Sequence, residues 1–564
     1  MDTSRLMRAK EADKFVGKHV KSQQEVESFL NRPQAMSLKG SKYNFVRKQQ
    51  QRNRGTDSSP DCISEHYRYQ EMIFGVPILG ADTVISTSGC SNDENEVATS
   101  VSGYTYSAVN VKGGYRPKYS KEEAKIAVAV FAGGKDEIAI EFGEMTLEVR
   151  PTTGGDFLVY SMSAFVPGAS GIQIIDISVN AHDPTQIISK CYKTGSTGKR
   201  KTSNLRKSSL NQIKNDLENR AINAPRGCEW ETDTCDMNTL YLDNTELEVP
   251  CQKCTIRGDE TQYLGEVKSL YYTGTQDCTG LIRPRECPIA QQPMQDDANA
   301  DVHYGTIKSL TYFQDEIGLL GIGSSGSPFS VYSRVHFGTN YCNAYWESPR
   351  LTFGDCDGIT FSPLVSMDVV AHELMHGVTQ ESSDLIYSSQ SGGLNEAFSD
   401  IAGAVIEFYV NNPGDKPDFN MAEELEGSVG ILRYMEDPPA DGASIDSICS
   451  FSESTDVHYT SGILNKAFVK SVRALEASSG QSERMCVLTM GETFLRSNIY
   501  MLTSSSTFTD AATASLESVF DTDINFTQNE MYNAIVSGWS EVNIDAANGD
   551  ISCNLGTQEL ASES

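Results

Sequence analysis

The sequence predicts an α+β protein built from several domains, and three observations carry that expectation. Helical spacing of apolar residues takes over only from Ser366 onward, in MDVVAHELMHGVTQ, LNEAFSDIAGAVIEFYV and SGILNKAFVKSVRALEA. Upstream of it, alternating and β-branched apolar residues dominate, so strands precede helices instead of interleaving with them. A length of 564 residues asks for about three or four domains, and charge separates them. Residues 1–220 carry a net charge of +5 and residues 221–564 a net of −35, for −30 in all. That acidity excludes a nucleic-acid or anionic-membrane partner recruited by bulk charge. No apolar run is long enough to span a membrane.

The elements follow in chain order. Met1–Gly55 is rich in Lys, Gln and Arg and lacks the apolar stretch of an export signal, so residues 1–58 are expected to be a disordered polar tail. HYRYQEMIFGVPILGADTVIS (His66–Ser86) reads as two strands and a turn, punctuated by Gly75, Pro77 and Gly80. Ser120 followed by Glu123 is a capping box, so a short helix starts there. IAIEF, MTLEVR and DFLVYSMSAFV then alternate like half-exposed antiparallel strands. This gives two small α+β modules at 59–110 and 111–192, with no cluster of catalytic residue types. Lys193–Lys207 (KTGSTGKRKTSNLRK) has nothing to bury, and the region 193–217 reads as a solvated linker that also suits proteolytic processing. A β-rich lobe at 218–370, a helical lobe at 371–548 and a tail at 549–564 complete the chain.

Fourteen cysteines, six of them between Cys228 and Cys287, favour disulfides and an oxidising, extracellular destination. The competing reading is a second metal site built on Cys251-x-x-Cys254.

His372-Glu373-Leu374-Met375-His376 is the strongest chemical signal. Histidines four apart on a helix share a face and can reach one metal ion, with Glu373 turned toward a water beside it. A third histidine six positions on is excluded, because Ser382 stands there. Gly392–Asp400 (GGLNEAFSD) places Glu396 and Asp400 four apart on a second helix. Glu396 can complete a His2Glu zinc site with one position open, and Asp400 can fix a histidine tautomer.

HELMH, GGLNEAFSD and DVHYTSGILNKAF (Asp456–Phe468) in this order resemble the thermolysin family of zinc endopeptidases, closest to its vibriolysin and pseudolysin branch, from about Cys235 to Trp539. Aminopeptidase relatives carry their glutamate one residue nearer and a G-x-M-E-N segment that is missing here. The upstream half resembles the family's propeptide.

The resemblance implies a two-lobed peptidase made as a zymogen, with its own propeptide as intramolecular inhibitor and folding aid. It implies one catalytic zinc on His372, His376 and Glu396, with Asp400 behind a histidine, and Glu373 as general base. His458 and Tyr387 would stabilise the oxyanion, with His458 oriented by Asp456 or, at the position the thermolysin branch uses, by Glu453. Asn343 and Ala344 would pair with the substrate backbone and Arg433 would hold a carbonyl on the primed side. Phe361, Leu364, Val369 and Leu432 would line a pocket for a bulky apolar P1′ residue; from the residues alone they would be core. Asp368, Glu407, Asp418 and Glu423 would bind one structural calcium. Cys235 would pair with Cys287, and Cys342 with Cys356 across a hairpin. The partners implied are protein and peptide substrates, acted on by a secreted monomer. A non-catalytic binding or inhibitory protein on the same fold, and a His2Glu aminopeptidase, are the competing readings.

Overall fold

The computed structural model describes residues 62–90, 96–106, 109–133, 140–168 and 171–192. It also describes most of 297–553, together with short strands before residue 54 and between residues 253 and 271. The basic run Lys193–Lys207 and the cysteines from Cys228 to Cys287, with the expected Cys235–Cys287 pair, lie outside the residues whose side chains are described.

The first half builds one sheet. Strands β1 (Leu6–Arg8), β2 (His19–Val20), β3 (Tyr43–Asn53), β4 (Cys62–Ile73), β5 (Val76–Cys90) and β6 (Glu96–Tyr106) are followed by helix α1 (Lys121–Gly133). Then come β7 (Glu141–Phe142), β8 (Thr146–Thr152), β9 (Gly155–Gly168), β10 (Gly171–Asn180) and β11 (Ile187–Tyr192). Three stretches of the expected disordered tail are thus strands. β3 pairs with β4 from Tyr43↔Ile73 to Asn53↔Ser64, and a strand at such an edge is held by backbone bonds that a polar composition does not forbid. The turn between β4 and β5 is Phe74-Gly75, both at positive φ, while Pro77 and Gly80 lie inside β5. The Ser120–Glu123 capping box forms as expected, Glu123 N–H donating to Ser120 Oγ at 3.3 Å and Ser120 N–H to Glu123 Oε2 at 2.9 Å. β5 joins the two modules, because Ile78 pairs in parallel with Val149 of β8 and packs in one core with Leu158 and Val179.

The second half has a mixed sheet of β12 (Lys253–Arg257), β13 (Glu266–Tyr271), β14 (Val331–Val335), β16 (Arg350–Phe353) and β15 (Ala344–Glu347), in that spatial order, so β15 is an edge. Helix α2 (Asp297–Tyr312) lies within this lobe, where only strands were expected. Its buried face uses Thr306 and Ser309, whose hydroxyls bond back to Val302 O and Gly305 O at 2.7 Å each. Small polar residues inside the packed face blur the apolar period.

The helical lobe contains α3 (Met367–Gln380) and α4 (Ser389–Val410), followed by the strands β17 (Asn420–Met421) and β18 (Arg433–Tyr434). Helices α5 (Val457–Thr460), α6 (Gly462–Ser479), α7 (Glu483–Arg496), α8 (Phe508–Glu517) and α9 (Gln528–Ser540) complete it. A single large core runs from α2 and the sheet through α3 and α4 to Trp539. No helix among the described residues is long and apolar enough to cross a membrane.

Among the described residues the two halves touch at two places. Arg68 Nη1 donates to Leu502 O at 2.6 Å, Ser102 Oγ to Met501 O at 2.7 Å and Ser504 Oγ to Asp82 Oδ1 at 2.6 Å. Elsewhere Phe165 and Ile174 pack against Phe337, Tyr341 and Tyr345 of the β-rich lobe.

Candidate active site

Helix α3 presents His372, Glu373 and His376, and α4 presents Asn395, Glu396, Ser399 and Asp400 against it. One ligand atom from each of His372, His376 and Glu396 falls within 4.8 Å of the others. The Nε2 atoms of His372 and His376 face each other at 3.1 Å, and Glu396 oxygens lie 3.4 Å from His372 Nε2 and 3.5 Å from His376 Nε2. Both opposite nitrogens are engaged. His372 Nδ1 bonds to Asp400 Oδ1 at 2.9 Å and His376 Nδ1 to Asn395 Oδ1 at 2.7 Å, so each ring presents its Nε2 lone pair to the same point.

Two nitrogen lone pairs and a carboxylate converging at a buried point call for a positive charge. Burial alone would discharge His372, but the Asp400 and Glu396 carboxylates outweigh it and push its pKa up to about 10. Burial likewise opposes charge on Glu396, yet His458, His372 and His376 hold it well below the usual carboxylate range. A tetrahedral zinc with bonds of about 2.0–2.2 Å needs ligand atoms about 3.3–3.6 Å apart. The two histidine–glutamate separations fall in that range, and the His372–His376 separation, 3.1 Å, is 0.2 Å short of it.

Glu373 is buried beside this triad. Burial first, then the Glu396 charge, push its pKa up to about 7, the range in which a carboxylate exchanges a proton near neutrality. Tyr387 O–H donates to Glu396 Oε1 and lies 3.2 Å from His458 Nε2. His458 is set by Asp456, whose Oδ1 accepts both its backbone N–H at 3.0 Å and its Nδ1–H at 2.7 Å. Asp456 is therefore at once the N-cap of α5 and the anchor of the imidazole. Burial opposes charge on His458, but Glu396 and Asp456 raise its pKa. Glycines bring α5 this close: a Cβ at Gly392 would meet Val457 Cγ1 at 2.4 Å, and one at Gly393 would meet Thr460 Oγ1 at 2.4 Å.

Asp400 is fully buried and serves more than the His372 ring, since Arg433 Nε and Nη2 donate to its Oδ2 and Oδ1 at 2.9 and 2.5 Å. Arg433, Asn343, Ala344, Phe361, Leu364, Val369 and Leu432 all line one cavity of about 1110 Å³ with the triad. Its opposite wall is the polar face of β8–β11, including Glu148, Arg150 and Asp176. Ala344 begins β15, the last strand in the sheet order, so a sheet edge borders the cavity.

The expected acidic cluster is assembled differently. Asp368, Glu407 and Glu424 bring ligand oxygens within 4.8 Å of one another, so Glu424 joins them where Glu423 and Asp418 were named. Burial, then Glu424 and Asp368, push Glu423 up to about 10. Asp418 accepts bonds from Asn420 N–H at 2.6 Å and Nδ2 at 2.9 Å. Cys342 and Cys356 are disulfide-bonded, and so are Cys449 and Cys553, a pair that nothing in the sequence singled out. Asn395 was also missed; its place one residue before Glu396, on the turn that faces His376, was the available signal.

Comparison with known proteins agrees with this geometry. The family model described as the thermolysin metallopeptidase catalytic domain matches residues 197–380, and that of its α-helical domain matches residues 383–544. A transglutaminase-activating metalloprotease of Streptomyces mobaraensis is 34% identical over 264 residues, covering 44% of this chain and 34% of that protein. Bacillolysin of Bacillus cereus is 36% identical over 239 residues, covering 40% of each chain. This chain thus spans well under half the length of these two relatives. The solved precursor of protealysin, a metalloproteinase from Serratia proteamaculans, aligns with a TM-score of 0.40 at 24% identity, over 49% of this chain and 88% of that one. The two family models are consecutive and together cover more than half of the sequence, with the His372–Glu396 site shared between them, and the chain belongs to the thermolysin family of metallopeptidases.

Proposed function

We propose that the chain is a zinc-dependent endopeptidase made as a zymogen. One observation carries the reading: two imidazole lone pairs and the Glu396 carboxylate converge on one point, with Glu373 beside them and the outermost strand of the sheet alongside. His372, His376 and Glu396 would hold the zinc. When bound, zinc supplies Lewis acidity, polarising the scissile carbonyl and acidifying water.

The chain's own groups do the rest. An extended peptide lies along β15, its backbone met by Asn343 and the Ala344 carbonyl, as edge strands accept peptides generally. Arg433, fixed by Asp400, holds a carbonyl on the primed side. Glu373 accepts the proton of the attacking water and returns it to the leaving amine. Tyr387 O–H and the protonated His458 donate to the oxygen that gains charge, with Asp456 keeping His458 protonated and aimed. Phe361, Leu364, Val369 and Leu432 form an apolar pocket, so a bulky apolar P1′ side chain is preferred.

Residues 59–192 act as an inhibitory pro-region. Two contact patches on either side of the cavity support this, as does the wall that β8–β11 put across it. The basic run Lys193–Lys207 would be the processing site. The acidic cluster of Asp368, Glu407 and Glu424, with Glu423 and Asp418 beside it in sequence, would take one calcium. Two disulfides suit a secreted enzyme.

The test is Glu373→Gln. It should abolish cleavage of a casein-type substrate and of the chain's own linker, with zinc content unchanged. Full activity in that variant sinks the assignment.

A further inference from the structure

Asn465, on α6, is 1% exposed and lies outside the residues that line the cavity. Its Nδ2 donates to Asp400 Oδ2 at 2.8 Å. Its other polar atom, Oδ1, has no hydrogen-bond partner among the described residues. A side chain chosen only to fill space there would be apolar, because a buried amide oxygen without a partner is costly and a leucine of similar size carries none. The polarity of Asn465 therefore answers to the single bond it makes.

That bond falls on a crowded carboxylate. Oδ1 of Asp400 takes His372 Nδ1 at 2.9 Å and Arg433 Nη2 at 2.5 Å, while Oδ2 takes Arg433 Nε at 2.9 Å. Without Asn465, every donor to Asp400 would be a group that itself has to be positioned: a metal-ligating imidazole and a cavity-lining guanidinium. Among the described residues Asn465 is the one donor to Asp400 that neither belongs to the triad nor lines the cavity. Holding Oδ2 stops the carboxylate from turning about its Cβ–Cγ bond, and with it fixes the His372 ring and the Arg433 fork together.

We infer that Asn465 is a positioning residue, which acts through Asp400 to aim His372 at the metal and Arg433 into the substrate cavity. The inference rests on the zinc endopeptidase reading. It adds a third layer behind the ligands: Asn465, then Asp400, then His372 and Arg433.

The experiment measures zinc affinity by chelator competition on the full chain, with no catalysis required. Asn465→Leu should weaken zinc binding about 10–100-fold, as loss of a group behind a ligating histidine does, and should raise KM more than it lowers kcat at saturating zinc. Asn465→Ala is the second variant if leucine does not fold, with folding judged by circular dichroism. In an Asp400→Asn background the Asn465 substitution should add less than about threefold, because both act through one carboxylate. Unchanged zinc affinity in a folded Asn465 variant, or full independent losses at 465 and 400, would overturn the inference. A wild-type chain that binds no zinc would overturn the endopeptidase reading and the inference with it; wild-type binding with an unaffected variant overturns the inference alone.

Discussion

The imidazole of His66, in the first half of the chain, stacks on the ring of Tyr500 in the second, with centroids 4.9 Å apart and planes 22° apart. His66 is 2% exposed, its Nδ1 meets Ser86 Oγ at 2.9 Å and its Nε2 has no hydrogen-bond partner among the described residues. Arg68 on the same strand and Arg496 on α7 face it, each tied to an acid: Arg68 to Asp82 at 3.5 Å and Arg496 to Glu492 at 2.7 Å. Burial first, then these two guanidinium groups, push the His66 pKa down from 6.5 to about 3. The docked form thus keeps the ring neutral while a released or unfolded form takes a proton below about pH 6.5. Stability from this contact is complete above that pH and is lost as pH falls toward 3. From His66 alone, the attachment of residues 59–192 to the peptidase should weaken by up to about tenfold per pH unit in that window. Protection factors at Met501–Ser506, which correct for the slower intrinsic exchange at lower pH, should therefore fall between pH 7 and pH 5, and His66→Gln should flatten the change. Equal pH profiles for both proteins would reject this.

Asp456→Asn should separate the two jobs of that side chain. Asparagine caps a helix about as well as aspartate, so stability should change by less than about 0.5 kcal/mol. It cannot hold a charge on His458, so kcat should fall about 10²-fold or more with zinc content unchanged. Glu453→Gln is the control for the alternative carboxylate and should leave kcat within about twofold. Steady-state kinetics on the two variants decide between them.

The triad was legible because its members repeat at helical spacing: His372 with His376, and Glu396 with Asp400, each pair four apart on one face. What the sequence could not resolve depended on chain crossings. Asp456 competed with Glu453 until the cap geometry of α5 put the Asp456 oxygen on the backbone N–H and Nδ1 of His458. Asn465 carries no spacing signal, because its partner is 65 residues away on another helix. Glu424 and Glu423 are neighbours in sequence, and nothing in their residue type says that it is Glu424 whose oxygen comes within 4.8 Å of both Asp368 and Glu407. Helix α2 hid behind Thr306 and Ser309, whose hydroxyls are satisfied inside the helix and so read as surface. The Cys449–Cys553 bridge spans 104 residues and leaves no local trace.

The Cys342–Cys356 bridge ties the residue just before Asn343 and Ala344 to the far side of the β15–β16 hairpin, where Gly354 N–H bonds to Asn343 O at 3.0 Å and Cys356 N–H to Tyr341 O at 3.1 Å. Removing it frees the entry to the edge strand while the triad, on α3 and α4, keeps its geometry. Cys342→Ser with Cys356→Ser should raise KM for a peptide several-fold and change kcat by less than about twofold. A loss confined to kcat would show that the bridge supports the catalytic groups and not the strand edge.

Gly392 is where packing and chemistry meet most tightly. A methyl group there would come within 2.4 Å of Val457 Cγ1 and 3.0 Å of the Tyr387 backbone carbonyl carbon. One contact leads to His458 on α5, the other to Tyr387, the two groups proposed to share the oxyanion role. Gly392→Ala must push one or both outward by more than half an ångström, because Val457 is buried and has little room to yield. Overpacking of this kind costs about 1–3 kcal/mol of stability. A displacement of that size in both oxyanion donors should lower kcat by about 10²-fold. The ligands His372 and His376 lie on α3 and Glu396 lies a full turn further along α4, so zinc content should stay at one ion per chain. Thermal unfolding, metal analysis and kcat measured on the same preparation test all three parts. A variant with normal kcat would place His458 and Tyr387 outside the rate-determining step.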